Sequence, residues 1–314
     1  MKRLLKILLR SVVILFILIN IIVAFHAYKF THFYDAGEVV IKKPEEKTSW
    51  DKTKEILFGI NAVKQQNTNA SDSTYKTIIL PTKDSIKLEG WYIPAADSAK
   101  GTICMFHGHG GKKSGNNAEA EVFHKLCYNT FQLDFRAHGN SGGNTCTIGY
   151  DESEDVKLAY DYIKNKGEKN IVLWGISMGA STITKALKNY SINPEKIILE
   201  MPFGTIEDAA AGRLKMMGLP PQPLATLITF WGGLEHGFWG FGMKPQEYAA
   251  SIKCPVLLQW GRNDPRVSKS EEDILFKNIF TTNKKFVIYE TAVHESLCKK
   301  EPVKWQTEVA AFLK

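Results

Sequence analysis

Apolar residues along the chain follow two rhythms. From Ser11 to Tyr28 they are continuous: Val, Ile, Leu and Phe dominate, and Asp, Glu, Lys and Arg are absent. About 18 such residues just cross a bilayer core, so this stretch predicts a membrane span. A polar segment follows, with Thr48 Ser49 Trp50 Asp51 as a helix-capping pattern and Ile56, Leu57, Ile60 and Val63 at helical spacing. A short amphipathic helix is expected there, lying on the membrane surface or, the favoured reading, packed on the domain that follows. Gln65 to Ala70, continuing through Ser71, Asp72 and Ser73, is polar throughout and predicts a flexible linker.

From Tyr75 the second rhythm begins, in which short apolar runs alternate with longer amphipathic ones. Thr77 to Leu80 and Ile86 to Ile93, divided by Pro81 Thr82 Lys83 Asp84, predict an antiparallel hairpin. Then come a buried strand (Thr102 to Phe106), a helix (Ala118 to Cys127), a strand ending at Asp134 and a helix (Glu152 to Lys164). The apolar run from Ile171 predicts a strand, with a helix after it to about Lys188 and a strand from Lys196 to Leu199. A strand from Pro255 to Trp260, a helix near Glu271 to Ile279, a strand from Lys285 to Tyr289 and a helix from Val303 to Leu313 complete the series. Such alternation predicts the α/β class, a mainly parallel sheet with helices on both faces. Reactive groups are expected at the carboxyl ends of its strands. Thr205 to Tyr248 breaks the alternation with Leu219 Pro220 Pro221 Gln222 Pro223 and an aromatic, glycine-rich tract from Phe230 to Phe241. It predicts a small cap over the site, inserted after the sixth strand. Its aromatic residues would pack the cap on the core, the favoured reading, or else line an acyl-chain groove or touch lipid beside the anchor. The expected division is 1–10, a span at 11–28, a connector at 29–74 and a catalytic domain at 75–314 with the cap at 205–248.

At 314 residues and 44% apolar content the chain can bury a sizeable core. Its formal charge of +7 is spread without a basic run, so no nucleic-acid partner is expected. Lys2, Arg3, Lys6 and Arg10 precede the apolar segment, predicting a single-pass protein with a cytoplasmic N-terminus and an extracytoplasmic catalytic domain. The exit Val23 Ala24 Phe25 His26 Ala27 lacks an Ala-x-Ala site, which favours an uncleaved anchor over a signal peptide. The near absence of a polar face argues against a buried soluble helix. Five cysteines, Cys104, Cys127, Cys146, Cys254 and Cys298, show no metal-ligand spacing. Cys104 and Cys254 read as core, and an exported topology would allow a bridge between Cys146 and Cys298.

Gly175 Ile176 Ser177 Met178 Gly179 joins a strand to a helix. A serine on so tight a turn is strained, needs small residues two positions either side, and sits where helix N–H groups favour a developing oxyanion. Its hydroxyl needs a histidine base and an orienting acid. Asp264 follows a strand in Gly261 Arg262 Asn263 Asp264 Pro265, and His294 follows the last strand. Taken singly, Asp264 would be an Asx-turn residue and His294 a loop histidine; the elbow upstream favours base and acid. The expected oxyanion donors are the backbone N–H groups of Met178 and His109, with Gly110 the second choice for the latter. Gly108 and Gly110 let the loop approach the reacting carbonyl, and His107 braces it. His107 and His109 as a metal pair lack further ligands at matching spacing, so neither metal nor cofactor is expected. His138, in the loop from Asp134 to Gly143, competes with His294 as base and reads better as part of a wall.

His-Gly-x-Gly-Gly from His107, Asp-x-Arg-x-His-Gly-x-Ser from Asp134 to Ser141, the elbow, Gly-x-x-Asp from Gly261 and the late His294 together resemble the α/β-hydrolase superfamily. Leu88 Glu89 Gly90 Trp91 Tyr92 Ile93 Pro94 and Ile252 Lys253 Cys254 Pro255 Val256 are similar to its membrane-anchored members of the serine aminopeptidase-like or Bem46-like type. The likeness covers about residues 75–314 and departs at Ala137, where that family commonly has glycine. It implies an α/β-hydrolase fold and cofactor-free acyl hydrolysis of a small or lipid-like ester. A peptidase or thioesterase would use the same groups, and a non-catalytic tethered binding protein is the alternative of another class. Dehalogenases and epoxide hydrolases carry aspartate at the elbow.

Overall fold

The structure, a computed structural model, describes residues 1–40, 42, 46–70, 74–96 and 98–314; Ser71, Asp72 and Ser73 of the expected linker lie outside the described residues. Helix α1 (Lys2–Thr31) has a mean hydropathy of 2.8 over its most apolar window and is long and apolar enough to cross a membrane. Its inner end is buried at Val23, Ala27 and Thr31. Strand β1 (Phe33–Tyr34) follows, and pairs in parallel with β2 (Ala62–Val63).

Between them lies α2 (Ser49–Phe58), closed at its start by a reciprocal pair: Thr48 Oγ1 accepts from the Asp51 N–H, and Asp51 accepts from the Thr48 N–H. Gly59, at φ 78°, ends it, because a left-handed residue cannot continue a helix. Ile60 and Val63, expected on its face, are therefore off it. Its packing partner is α1 and not the sheet. Phe25 and Phe58 meet edge to face at 5.3 Å, and a His26 ring nitrogen bonds the Ile56 carbonyl at 2.8 Å.

The expected linker is docked over its described part. Asn67 donates to Asp134 at 2.7 Å and accepts from the Ser114 N–H at 3.2 Å, while the Asn69 carbonyl accepts from Asn117 at 2.9 Å. A polar run satisfies buried groups as readily as it stays in water, so its composition did not separate the two.

Eight strands form the main sheet: β3 (Lys76–Pro81), β4 (Lys87–Ile93), β5 (Thr102–Phe106), β6 (Asn129–Leu133), β7 (Ile171–Ile176), β8 (Lys196–Glu200), β9 (Val256–Gly261) and β10 (Lys284–Tyr289). Their spatial order is β10-β9-β8-β7-β5-β6-β4-β3. The pairs β3/β4 and β4/β6 are antiparallel and the other pairs parallel. Every residue of β5, β6 and β9 is buried, as strands covered on both faces must be. The helices between and after them are α3 (Asn117–Lys125), α4 (Glu152–Asn165), α5 (Met178–Asn189), α6 (Ile206–Met216), α7 (Leu224–Glu235), α8 (Pro245–Tyr248), α9 (Lys269–Asn278), α10 (Leu297–Lys300) and α11 (Pro302–Leu313).

After β8 the chain leaves the sheet. Ala210 and Leu214 of α6 bury against Ala225 of α7 in a cluster of their own, and α7 lies along α1. The Trp231 indole donates to Asn20 at 3.1 Å, and a His236 ring nitrogen bonds Thr31 Oγ1 at 2.7 Å. Phe33, from the expected connector, belongs to the main core. All five cysteines are free, so the bridge considered between Cys146 and Cys298 is absent. Cys146 rests its sulfur 3.6 Å from Met178 Sδ beside the elbow, and Cys298 is buried on α10.

Candidate active site

Ser177 sits between β7 and α5 at φ 54°, ψ −118°, a conformation that a non-glycine residue holds only when its surroundings impose it. The two flanking glycines are that surrounding. A Cβ on Gly179 would stand 2.2 Å from the Phe106 carbonyl oxygen, and one on Gly175 2.7 Å from backbone atoms of Gly179 and Ala180. Strand, helix and the loop after β5 thus meet at backbone contact. The Ser177 N–H donates to the Glu200 carbonyl at 2.7 Å, tying the elbow to β8.

His294 faces this hydroxyl, with Nε2 2.8 Å from Ser177 Oγ and Nδ1 2.7 Å from Asp264 Oδ2. The Asp264 side chain is fully buried. Its second oxygen accepts from the Arg266 and Val267 N–H groups at 2.7 and 3.0 Å, so Asp264 forms a local turn and orients the imidazole at once. The two readings of this residue describe its two oxygens.

Gly108, His109 and Met178 line the same pocket as Ser177. Among the described residues the His109 and Met178 N–H groups meet no acceptor, whereas the Gly110 N–H donates to His138 Nε2 at 3.0 Å. Gly110 is thereby engaged elsewhere. Three imidazoles set the loop's course, His107 and His138 buried and His109 half-buried at the pocket. His107 donates from Nδ1 to its neighbour's carbonyl at Gly108 (2.7 Å) and accepts at Nε2 from the Phe135 N–H (3.1 Å). His138 donates from Nδ1 to the Arg136 carbonyl at 2.9 Å, which leaves Nε2 for Gly110. His109 bonds the Phe30 carbonyl through Nε2 at 3.0 Å and stacks on the Phe30 ring at 4.5 Å. These protonation patterns follow from the partners each ring meets. Burial disfavours the cation on all three: His107 is lowered, His138 lies well below the ordinary value, and His109, with Arg213 also near, is pushed down to about 3. Both ring nitrogens of His138 are bonded to backbone, which leaves neither for Ser177. Those of His107 are bonded to backbone as well, and among the described residues no group of three or more His, Cys, Asp and Glu could hold a metal.

The Asp134–Ser141 motif is the scaffold behind this loop. Asp134 accepts from the Lys113 and Asn140 N–H groups and pairs with the buried Lys113 ammonium at 2.5 Å. Arg136 pairs with Asp155 and Glu154 on α4, and Ser141 bonds the Asp134 carbonyl.

Comparison with known proteins bears on the fold around these residues. The family described as Serine aminopeptidase, S33 (Hydrolase_4), matches residues 97–230, a stretch that holds the elbow but stops short of Asp264 and His294. The protein YqkD of Bacillus subtilis is 27% identical over 203 residues, 63% of this chain and 66% of YqkD. The lysophosphatidylserine lipase ABHD12 of Macaca fascicularis is 26% identical over 189 residues, 56% of this chain and 45% of that protein. The chain thus matches about half to two thirds of these relatives' length. Among solved structures, the Pyrococcus furiosus esterase Pf2001 superposes with a TM-score of 0.65 at 25% identity, covering 80% of this chain and 97% of that one.

The chain belongs to the α/β-hydrolase superfamily.

As an α/β hydrolase it has one local departure, Ala137, which adopts φ 62°. Glycine would hold this left-handed conformation without strain, and alanine keeps the turn at a cost of about 1–2 kcal/mol. Among the pocket residues that escaped the sequence reading, three come from separate segments and bring chemistry of their own. Phe30 comes from the end of α1, Arg213 from α6, and Arg266 from the loop after Asp264; all line a cavity of about 180 Å³ with Ser177 and His294. Arg213 lies over the Phe30 ring, 4.9 Å from its centroid, and Arg266 donates from Nε to Met216 Sδ at 2.9 Å; neither has a carboxylate partner among the described residues. A Cβ on Gly212 would stand 2.2 Å from the Arg266 carbonyl oxygen, so α6 and the acid loop are pressed together here. Nothing local in the sequence marked these two arginines as a pair, since Arg213 and Arg266 are more than fifty positions apart. The cap aromatics divide between roles: Phe238 stacks on Tyr150 at 4.2 Å, Trp231 bonds α1, and Phe230 and Trp239 are exposed.

Proposed function

We propose that this α/β hydrolase is a membrane-anchored serine esterase acting on lipid-like acyl esters, with Ser177 as nucleophile, His294 as base and Asp264 as its orienting acid. The unbroken run of contacts from Asp264 through His294 to Ser177 Oγ, 2.7 and then 2.8 Å, carries the reading. His294 Nε2 takes the hydroxyl proton as Oγ bonds the substrate carbonyl carbon. The negative oxygen that develops is met by the Met178 and His109 N–H groups and the positive end of α5. Collapse breaks the bond to the leaving oxygen, which takes the proton from His294. Water then attacks the acyl-enzyme, passes its proton to His294, and releases the acid as Ser177 recovers its hydroxyl proton.

Relatives support an ester substrate, one being a lysophosphatidylserine lipase and another an esterase. The pocket supports an anionic headgroup on that ester, since Arg213 and Arg266 line it without carboxylate partners. It also speaks against the aminopeptidase activity in the matched family's description. A free α-amino group would meet two guanidinium groups, and among the described residues no carboxylate lines the cavity. In this reading α1 is an uncleaved anchor, with the basic N-terminus cytoplasmic and the hydrolase outside. The packing of Ala27, Phe30 and Thr31 supports retention of the helix.

Turnover of p-nitrophenyl butyrate and of aminoacyl p-nitroanilides by the full-length protein in detergent tests this. Ester cleavage is expected, falling by about 10³-fold or more in Ser177→Ala and in His294→Ala. Undiminished ester turnover in Ser177→Ala, or preference for the aminoacyl amides, would overturn it.

A further inference from the structure

Helix α1 does not leave the hydrolase as a bare tether. Its contact with α7 begins far from the helix end, at Asn20, which accepts from the Trp231 indole. It continues through Ala27, 4.0 Å from where a Gly232 Cβ would lie, to Thr31 against His236. Asn20 to Thr31 is eleven residues, about 16 Å of helix at 1.5 Å each. If residues 11–28 cross the bilayer, a partner bonded at Asn20 lies within its hydrocarbon and not beside it.

The composition of α7 fits that depth. Leu224–Glu235 reads LATLITFWGGLE, nearly all apolar or small. Phe230 and Leu234 are exposed, 41% and 59%, as is Trp239 just beyond, 65%. An open groove of about 690 Å³ runs along the α1–α7 seam, walled by Phe16, Ile21, Ala24, Phe25, Tyr28 and Trp231 among others, with Glu235 at its edge. Exposed apolar surface of this extent on a water-facing cap would be an aggregation liability. It is continuous with the face of α1 that hydrocarbon covers.

We infer that the cap helix α7 is inserted alongside α1 into the outer leaflet, and that lipid acyl chains occupy the groove between them. Phe30, at the C-terminal end of α1, then lies at the level of the outer lipid headgroups. It lines the Ser177 pocket and lies under Arg213, so the ester bond to be cut and the two guanidinium groups sit where a phospholipid carries its ester and its phosphate. The enzyme takes substrate sideways from the bilayer. This placement rests on the esterase reading for what is cleaved, but the insertion itself is measured without turnover.

The test uses full-length protein in phosphatidylcholine vesicles, with lipids brominated at mid-chain as quenchers and acrylamide as the aqueous one. The emission lost in Trp231→Phe and Trp239→Phe identifies the cap signal in the wild type. Mid-chain bromines are expected to quench that signal by half or more and acrylamide to have little effect. Quenching by acrylamide and not by bromolipid, as for a cap in water, overturns the inference. So does protection from both, which would point to a protein partner on this face. Leu234→Asp, on an exposed position, supplies the second arm. A tenfold or greater loss in kcat/KM on a long-chain ester held in vesicles is expected, with p-nitrophenyl acetate turnover within twofold of wild type. Equal effects on both substrates overturn it. Absence of p-nitrophenyl acetate turnover in the wild type would instead sink the esterase reading and leave the quenching result standing.

Discussion

The pocket beside Ser177 has two walls made on different principles. On one side the elbow, the loop after β5 and the acid and base loops are joined by backbone at contact distance, with glycines where a single methyl group would collide at 2.2 to 2.7 Å. On the other side Phe30, Arg213 and Arg266 face the pocket through their side chains, around a groove and a cavity with room to spare, and backbone contact recurs where Gly212 of α6 meets the Arg266 carbonyl. The tight wall fixes where a proton and an oxyanion go, and tolerates almost no substitution. The loose wall decides which ester arrives, and in a superfamily with many substrates it is the wall free to vary.

The contrast is broken most directly at the acid. Asp264→Asn keeps the side chain's shape and its turn while removing the charge that holds His294 in the right tautomer, so kcat is expected to fall about 10⁴-fold with KM and thermal stability little changed. A fall of less than tenfold would mean that the carboxylate does not orient the base. Next in size is the elbow itself. Gly179→Ala forces a methyl group into the Phe106 carbonyl and is expected to cost about 3 kcal/mol or more in a denaturant titration, although alanine favours a helix elsewhere. A neutral result there would remove the argument that the tight wall is held by backbone contact.

The loose wall gives smaller and more selective effects. Arg213→Gln with Arg266→Gln is expected to lower kcat/KM about tenfold for an acylglycerol phosphate and to leave the matching neutral acylglycerol unchanged, a preference that competition assays resolve. Loss on both substrates alike would make the arginines structural. The smallest effect concerns the tight wall's support. Burial, with Glu119 near, pushes the Glu200 carboxyl up to about 8, while Trp174 and Trp305 donate to it at 2.8 and 2.7 Å. A folded-state value above the unfolded one means stability is full below about 4.5 and is lost as pH climbs through about 8. Glu200→Gln, which carries no proton to lose, is expected to flatten that decline in Tm by a few degrees; an unchanged slope would place the ionisation elsewhere.

The same division explains what could be read from the residues alone. Close backbone approach leaves glycine in the sequence, and alternating apolar runs leave the sheet, so Ser177, its flanking glycines and the positions of Asp264 and His294 after their strands were legible. So was the capping box of α2, because Thr48 and Asp51 bond each other across three residues. The loose wall leaves no local trace. Phe30 reads as one more apolar residue after a membrane span, and nothing near it shows that its carbonyl meets His109 some 79 positions later. Gln65 to Ala70 reads as free chain because its partners, Asp134, Ser114 and Asn117, are distant in sequence. Arg213 and Arg266 become a pair only when α6 folds back on the acid loop.

At the centre stands the claim that Ser177 is an activated nucleophile. Labelling the full-length protein with a fluorophosphonate and mapping the adduct by mass spectrometry tests it with no assumption about substrate. Modification of the peptide carrying Ser177 is expected, abolished in Ser177→Ala and strongly slowed in His294→Ala. Equal labelling of Ser177→Ala, or an adduct on another residue, would contradict it.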